Sequence, residues 1–234
     1  MMTTIPPSPG APDCEENEGE EGTLRESVYD ELRRWLILGK VAPGAGMSTR
    51  GLAQQLGVSQ MPVRDALSRL AAEGAVAIRS KRKIVVAPMT PERLDEIIDC
   101  RLLLEPEAAV RAMPAIDAAR IRTLKRIDAA LDEAGDRGDI NAYTEHNFRF
   151  HFTLYRAGGD TMLARMIETL WVQFGPLMRV IYGRVGTARL VDKHHLAIDA
   201  LTRRDAAALR EAIAGDIEDA RQLVMNDRDA LAPG

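Results

Sequence analysis

The clearest alternation of apolar and polar positions lies between residues 47 and 76, where two apolar stripes are separated by a glycine. Leu52, Ala53 and Leu56 share one side of a predicted helix, and Gly57 follows where a left-handed residue usually ends a helix. A second helix is predicted directly after this turn, with an apolar stripe of its own. That stripe consists of Val63, Ala66, Leu67 and Leu70. The pattern therefore predicts two short helices joined by a tight turn.

The second helix also has a distinct polar face. Ser59 is predicted to cap this helix by accepting a hydrogen bond from a free N–H group, and Pro62 fits its first turn. Gln60, Arg64 and Ser68 are spaced by four residues, so they project together from the side opposite the apolar stripe. Such a pair is typical of a helix-turn-helix, whose second helix fits the major groove of DNA. An ordinary helical hairpin is the alternative.

Further elements are predicted on both sides of this pair. Upstream, an apolar stripe over residues 28–38 predicts a helix that a glycine ends. Downstream, two strands at Ala75–Arg79 and Ile84–Pro88 enclose a basic segment that would form a wing. From residue 90 onwards the chain shows only helical periodicity, which begins with a capping hydroxyl, a proline and an acid. These helices are predicted over residues 91–112, 117–135, 139–157, 160–182, 187–203 and 205–228.

Composition and charge divide the chain into three segments. Aromatic residues make up only 4% of the chain while alanine and leucine are abundant, so a mainly α fold is predicted. Residues 1–22 carry six acids and no lysine or arginine, and they are predicted to form a disordered acidic tail. Residues 23–88 carry eleven basic and five acidic side chains, as expected of a winged helix-turn-helix DNA-binding domain. Residues 89–230 are predicted to form an all-α antiparallel helical bundle.

Several classes of protein are disfavoured by what the sequence lacks. Only Cys14 and Cys100 are present, which excludes a disulfide framework and a paired-cysteine metal motif. No apolar run approaches membrane-spanning length, and no basic region precedes an apolar block, so a cytoplasmic protein without a membrane partner is expected. The bundle holds no nucleophile motif and no phosphate loop, which disfavours an enzyme. A metal-dependent enzyme with a DNA-binding head is the alternative.

All four histidines lie in the predicted bundle, at positions 146, 151, 194 and 195. Asn147 and His151 fall on one face of a helix, while His194 or His195 lies on another helix and Asp216 on the last. Two imidazoles and a carboxylate from separate helices can bind a divalent metal inside a bundle. The alternative is a buried histidine that is simply hydrogen-bonded.

The segment LAQQLGVSQMPVRDALSRLAAEGAV, residues 52–76, resembles the GntR family of bacterial regulators. The resemblance implies a winged-helix DNA-binding domain joined to a separate effector domain. The wing of such relatives usually carries glycines, whereas residues 79–87 here hold none and are strongly basic. The implied DNA contacts comprise the polar face of the second helix, the start of the first helix and the wing. These residues are Arg50, Ser59, Gln60, Arg64, Ser68, Lys81, Arg82 and Lys83.

Three segments of the bundle resemble the all-helical FCD effector domain of the FadR-like branch of this family. They read RLLLEPEAA, NFRFHFTLY and HHLAIDALTRRDAAALREAIAGD, and with them the resemblance covers about residues 23–228. Many such relatives bind a divalent metal through one Asp and three His, the last two separated by 22 residues. The corresponding residues here are Asn147, His151, His194 and Asp216. His195 is the alternative to His194.

This implied ligand set departs from the family pattern in two places. Asn147 replaces an Asp and Asp216 replaces a His, so the set keeps four ligands and one carboxylate but has more oxygen. That change weakens the preference for zinc and favours manganese, nickel or a metal-free pocket. Arg101 corresponds to an arginine that lines the effector pocket, where it would bind a carboxylate together with Asn147 and His151. A salt bridge to Glu105 is the alternative for Arg101.

Together these features predict a metabolite-responsive transcription regulator, expected to be a repressor. As a homodimer it would place one second helix in each major-groove half-site of a pseudo-palindromic operator in double-stranded DNA. A small-molecule effector, expected to be a carboxylate, would bind in the helical bundle and change the spacing or mobility of the two DNA-binding heads. The remaining alternative is a regulator whose pocket binds no ligand.

Overall fold

The computed structural model describes residues 14–80, 83–187 and 192–226. Its N-terminal part forms a winged helix-turn-helix. A long first helix packs against the helix-turn-helix pair, and a small antiparallel sheet follows. These elements are α1 (Cys14–Ile37), β1 (Gly46–Met47), α2 (Thr49–Leu56), α3 (Gln60–Ala72), β2 (Val76–Ser80) and β3 (Lys83–Val86).

The helix-turn-helix has the predicted turn but not the predicted cap. Gly57 ends α2 with a φ of 68°, and the apolar stripe of α3 is buried. Ser59 occupies the capping position of α3, yet its hydroxyl makes no capping hydrogen bond, so that prediction was wrong. A capping side chain commonly accepts from the third helical N–H, and that position in α3 is Pro62, which has none. At α2, Ser48 does cap in this way, accepting from Gly51 N at 3.0 Å.

The wing is built on a three-stranded sheet of order β1-β3-β2. Val76 pairs with Val86 and Gly46 with Val85, both in antiparallel ladders. The two predicted strands exist with their ends displaced by one or two residues. The short β1 falls in a Pro/Gly segment in which the sequence predicts no strand. Its pairing partner lies almost 40 residues away, so no local pattern could reveal it.

The first helix begins earlier than its apolar pattern. The stripe over residues 28–38 is buried as predicted, but helical backbone already begins at Cys14. The prediction of a disordered tail over residues 1–22 therefore differs from the structure at residues 14–22. Glutamate is a good helix former and is favourable near a helix N-terminus, which accounts for the extension of α1 into this acidic segment. Residues 1–13 lie outside the described residues.

The rest of the described chain forms the predicted helical bundle. Five of its six predicted helices begin within two residues of the expected position. The helix expected from residue 187 instead begins at His194. Thr187 is not helical; it is buried and donates from its hydroxyl to Gly135 O of α5 at 2.9 Å. The helices are α4 (Pro91–Ala112), α5 (Ala118–Asp136), α6 (Ile140–Tyr155), α7 (Met162–Val185), α8 (His194–Arg203) and α9 (Ala206–Asn226), with a 3-10 turn at Met113–Ala115.

Helix α7 joins the bundle to the DNA-binding domain. Gly175 lies so close to α1 that an added Cβ would be 2.2 Å from Ile37 O. Arg33 of α1 forms an ion pair with Glu168, which is buried, and Gln173 accepts a hydrogen bond from Arg93 Nη2 at 2.8 Å. Arg93 also donates to Gly74 O, directly after α3. Helix α7 is therefore connected to α1 by direct contact and to the end of α3 through Arg93.

Candidate functional site

The exposed face of α3 carries the predicted DNA-contact residues. Gln60, Arg64 and Ser68 are exposed on one side, as are Arg50 and Ser59 at the starts of α2 and α3. Within the described part of the chain, no carboxylate pairs with Arg50 or Arg64. The guanidinium of each arginine is therefore available to a DNA phosphate or a base edge.

Two further observations complete the DNA-facing surface. Met61, which the sequence analysis did not select, is 63% exposed at the start of α3 and has no role in the core. Lys83 is exposed at the start of β3, at the base of the wing. Lys81 and Arg82, the other predicted wing contacts, lie outside the described residues.

The bundle contains a cavity of about 420 Å³, and four of the five predicted effector and metal residues line it; His194 is the exception. Arg101, Asn147, His151 and Asp216 all line this cavity, although they come from three different helices. Its walls also include Ile37 of α1 and the aromatic side of α7. The α7 residues concerned are Trp171, Phe174, Gly175, Met178 and Tyr182.

A compact histidine cluster lies at the wall of the cavity. The Nε2 atoms of His151 and His194 are 3.2 Å apart, and His151 Nε2 is 3.3 Å from Asp216 Oδ2. Both imidazoles are essentially inaccessible to solvent, whereas His195 is exposed. Of the two histidines at positions 194 and 195, His194 is therefore the one that lies beside His151.

Hydrogen bonds behind the two rings define which nitrogen carries the proton. Tyr155 uses its one hydroxyl hydrogen to donate to Glu105 Oε2 at 2.8 Å, so it can only accept from His151 Nδ1–H at 2.9 Å. His194 Nδ1 is 3.2 Å from Asp128 Oδ1, which accepts its hydrogen. When the imidazoles are neutral, each Nε2 therefore carries a lone pair, and both lone pairs converge next to the Asp216 carboxylate.

The convergence of two nitrogen lone pairs and a carboxylate requires a positive charge among them. Burial alone would raise the pKa of Asp216, but the hydrogen bond with His151 and the imidazole charges hold that pKa well below its usual range. Burial lowers the pKa of His194, yet its hydrogen bond with Asp128 and the charges of Asp216 and Asp192 outweigh that effect and raise it. Either a proton or a divalent cation can satisfy the cluster.

Arg101 is buried in the cavity wall rather than placed at its mouth. Its Nε donates to Glu105 Oε1 at 2.5 Å, so the ion pair that was the alternative interpretation is present. The guanidinium also lies 4.8 Å from the ring centre of Trp171 and 4.7 Å from that of Phe174. Burial opposes the charge on Arg101, but the nearby Glu105 carboxylate outweighs this and raises the pKa of the arginine.

Sequence patterns missed the residues that support this cluster. Tyr155 follows His151 by four residues on one helix, a spacing that places them on the same face. Asp128 and Asp192 flank His194. Asp192 lies only two positions before His194, whereas Asp128 lies 66 positions away and had no local signal. Trp171 Nε1 donates to Glu105 Oε1 at 3.0 Å from yet another helix. Only the folded chain brings these groups together.

Two family models match the chain. One, described as "Bacterial regulatory proteins, gntR family", matches residues 24–86, and the other, described as "FCD domain", matches residues 96–219. The chain belongs to the GntR family. As a GntR-family protein with an FCD domain, it is a DNA-binding transcription regulator with the kind of domain that binds small-molecule effectors. The first family match includes the whole helix-turn-helix, and the second includes all four residues of the predicted metal set.

Relatives of known sequence and structure agree with this assignment. The HTH-type transcriptional regulator McbR of Escherichia coli (strain K12) is 31% identical over 195 residues, covering 82% of this chain and 88% of McbR. The gluconate operon transcriptional repressor of Bacillus subtilis (strain 168) is 26% identical over 207 residues, covering 84% and 83% of the two chains. The solved structure of E. coli McbR/YncC has a TM-score of 0.83 at 29% identity and covers 88% of this chain and 98% of that one.

These comparisons confirm the predicted family, the mainly α fold and the prediction of a GntR-family regulator rather than an enzyme. The printed names of the similar proteins are those of transcriptional regulators and repressors. Within the described residues, no helix is both long and apolar enough to cross a lipid bilayer.

Proposed function

We propose that this protein is a homodimeric repressor whose affinity for its operator is controlled by a small molecule that binds in the bundle cavity. The observation that carries the proposal is the position of α7. One side of this helix forms the aromatic wall of the cavity, while Gly175 and Glu168 contact α1 of the DNA-binding domain. A ligand that moves α7 therefore changes the support of the surface that faces DNA.

The proposed functions are assigned to the two domains that the sequence predicts. Residues 23–88 would bind DNA, and residues 89–230 would bind the effector and a second copy of the chain. The two family matches, which end at residue 86 and begin at residue 96, support a boundary near residue 89. Repression is supported by the B. subtilis relative, which is named as a repressor.

The DNA contacts we propose are those of the exposed arginine face. Arg64, with Gln60 and Ser68, would lie in the major groove, and Arg50 with the Lys81–Lys83 wing would bind the backbone or the minor groove. Ser59 retains this assignment, because its exposed hydroxyl is not used as a helix cap and can donate to a phosphate.

An apolar groove on the other side of the bundle provides a surface for the second copy. Leu103 is 75% exposed, Met162 67% and Met166 50%, and the three line one groove of about 540 Å³ between α4 and α7. Its rim carries Glu107 and Arg111, which form an ion pair at 2.7 Å within the chain, so the rim charge is already balanced when a second copy packs on the groove. Leu103→Glu should therefore convert the dimer to a monomer in size-exclusion chromatography with light scattering. A dimer that persists would place the interface elsewhere.

We further propose that the histidine cluster holds a divalent metal. His151, His194 and Asp216 have ligand atoms within 4.8 Å of one another, and Asn147 lines the same cavity. The fixed tautomers support this assignment because they direct both Nε2 lone pairs towards one point. Two nitrogens with oxygen ligands suit manganese or nickel as well as zinc. A bound metal would supply a Lewis-acid position for an oxygen of a carboxylate effector.

Operator binding measured with and without ligands tests this function. Purified protein would be titrated onto fluorescent operator DNA, with manganese, nickel or zinc and a panel of small carboxylates added in turn. At least one metal and carboxylate combination should lower operator affinity, because the ligand binds one arrangement of α7 better than another. If every combination leaves affinity unchanged while the metal is bound, effector control by a carboxylate is contradicted.

A further inference from the structure

We propose that Tyr155 and Glu105 are positioning residues for His151, fixing its ring and tautomer so that Nε2 faces the cation. In the same arrangement Arg101 holds Glu105 through the Nε edge of its guanidinium. This inference rests on the proposed metal site but concerns residues that do not touch the metal. It assigns a purpose to a buried polar network that the DNA-binding function leaves unused.

The network is an unbroken series of buried hydrogen bonds. It runs from Arg101 to Glu105 at 2.5 Å, from Tyr155 to Glu105 at 2.8 Å, and from His151 Nδ1 to the Tyr155 hydroxyl at 2.9 Å. Glu105 and His151 are fully inaccessible to solvent, and Tyr155 and Arg101 are 2% and 3% exposed. Water therefore cannot readily replace a missing partner, and each group depends on the next.

The direction of these bonds follows from the number of donors at Glu105. Arg101, Tyr155 and Trp171 all donate to its carboxylate, which accepts and cannot donate while it is ionised. The Tyr155 hydrogen is consequently committed to Glu105. The remaining lone pair of Tyr155 can only accept, so the hydrogen of His151 must be on Nδ1. That leaves the His151 Nε2 lone pair directed at His194 and Asp216.

Arg101 balances the charge that makes this arrangement stable. A fully buried carboxylate without a cation would be strongly destabilised, and Arg101 is the guanidinium that contacts it. Nε and Nη2 both face Glu105, so this edge of the guanidinium is occupied by the protein's own carboxylate. The proposed metal then offers a second position for an acidic effector, with the aromatic wall of α7 against its body.

Tyr155→Phe tests the positioning role, with Tyr29→Phe as the matched control. Both tyrosines are buried and donate to a carboxylate, but Tyr29 donates to Glu73 from α1, outside the cavity lining, whereas Tyr155 holds His151. Manganese and nickel affinities of the full chain would be measured by isothermal titration calorimetry. Tyr155→Phe should weaken metal binding by about 10- to 100-fold, the usual effect of removing a hydrogen bond behind a metal ligand, whereas Tyr29→Phe should not change it.

The tautomer of His151 provides a readout that does not depend on metal. Long-range proton–nitrogen NMR of the metal-free chain at about pH 8, where imidazole is ordinarily neutral, shows which ring nitrogen carries hydrogen. The wild type and Tyr29→Phe should show His151 with hydrogen on Nδ1, and Tyr155→Phe should lose that preference. Glu105→Gln is a second variant, in which the amide can donate to Tyr155 and so turn the Tyr155 hydrogen towards His151.

The outcomes separate this inference from the proposed metal site. Equal metal affinities in Tyr155→Phe and Tyr29→Phe, with the His151 tautomer unchanged, would overturn the positioning role while the metal site stands. If the wild type binds no metal, that part of the proposed function fails. The NMR result then decides alone: hydrogen on Nδ1 that depends on Tyr155 supports the inference, and hydrogen on Nε2 in the wild type overturns it.

Discussion

Arg64 and Arg69 lie five positions apart on α3, yet the structure surrounds them differently. Arg69 Nη1 donates to Glu26 at 2.6 Å, and its guanidinium lies 3.6 Å from the ring centre of Tyr29. Arg64 is exposed without a carboxylate partner among the described residues. Arg69 therefore packs one side of α3 against α1, whereas Arg64 on the other side remains available to bind DNA.

This difference makes a prediction about DNA binding. Arg64→Ala should lower operator affinity by about 1–3 kcal/mol, the usual worth of a good base contact. Arg69→Ala is the matched control on the same helix and should have a much smaller effect on affinity, since its partners are within the protein. Fluorescence anisotropy with operator DNA measures both. Equal reductions in the two variants would contradict the assignment of the recognition face.

Single histidines give a second prediction at this scale. Saturating metal at about 100 times its dissociation constant should stabilise the wild type by about 2.7 kcal/mol. For a chain of this size that is a rise of roughly 5–10 °C in melting temperature. His151→Ala should abolish the rise and leave DNA binding largely intact, whereas exposed His195→Ala should keep it. A metal-dependent rise that survives in His151→Ala would remove this histidine from the site.

What the sequence could predict about single residues depended on distance along the chain. The exposed face of α3 and the inward position of His151 followed from helical spacing. The failed cap at Ser59 could also have been foreseen, because Pro62 removes the N–H that such a cap needs. The sequence could not decide whether Arg101 pairs with Glu105 or with an effector, or whether His194 or His195 lies beside His151. Both answers depend on how separate helices pack.

At the scale of elements, α7 is the structure's connection between cavity and DNA-binding domain. Most helices of the bundle matched their apolar periodicity closely, because a long amphipathic stripe is a strong signal. Helix α7 contacts both the cavity and α1, and this pair of contacts had no such signal. The contact with α1 depends on the absence of a side chain at Gly175. The Thr187–Gly135 hydrogen bond likewise joins residues 52 positions apart and had no local signal.

Two glycines of α7 test this connection. An alanine Cβ at position 175 would be 2.2 Å from Ile37 O and 2.5 Å from Leu36 O, so Gly175→Ala must displace α1. We expect it to lower the free energy of unfolding by about 1–3 kcal/mol. Gly183 in the same helix has no atom within 4 Å of such a Cβ, and Gly183→Ala should be neutral or stabilise by up to about 1 kcal/mol. Urea denaturation compares them, and equal stability would disprove the close contact.

The wing gives a further prediction for an element. Replacing Lys81, Arg82 and Lys83 by alanine should weaken binding to any DNA sequence, because fewer phosphates are then neutralised. The slope of log affinity against log salt should fall by about 0.9 for each phosphate that the variant no longer neutralises. The control removes three exposed basic residues of α5, namely Arg122, Lys125 and Arg126, and should leave the slope unchanged. A wing variant with the wild-type slope would show that the wing does not contact phosphates.

At the scale of the whole molecule, charge and apolar surface are segregated as a DNA-binding dimer requires. The basic charge lies in residues 23–88, which we propose to bind DNA, while the exposed groove of Leu103, Met162 and Met166 lies on the separate helical bundle. The net charge of −4 conceals this division. A dimer formed through the bundle leaves both α3 helices free, and its two-fold symmetry must then be matched by the DNA.

The most direct test of this account is the sequence of DNA that the purified protein selects from a pool of randomised duplexes. Wild-type protein should enrich one pseudo-palindromic motif with two half-sites related by two-fold symmetry, because each copy places one α3 in the major groove. Arg64→Ala should lose or relax the same base position in both half-sites. No enrichment by the wild type, or a motif without two-fold symmetry, would contradict a dimer that contacts DNA through α3.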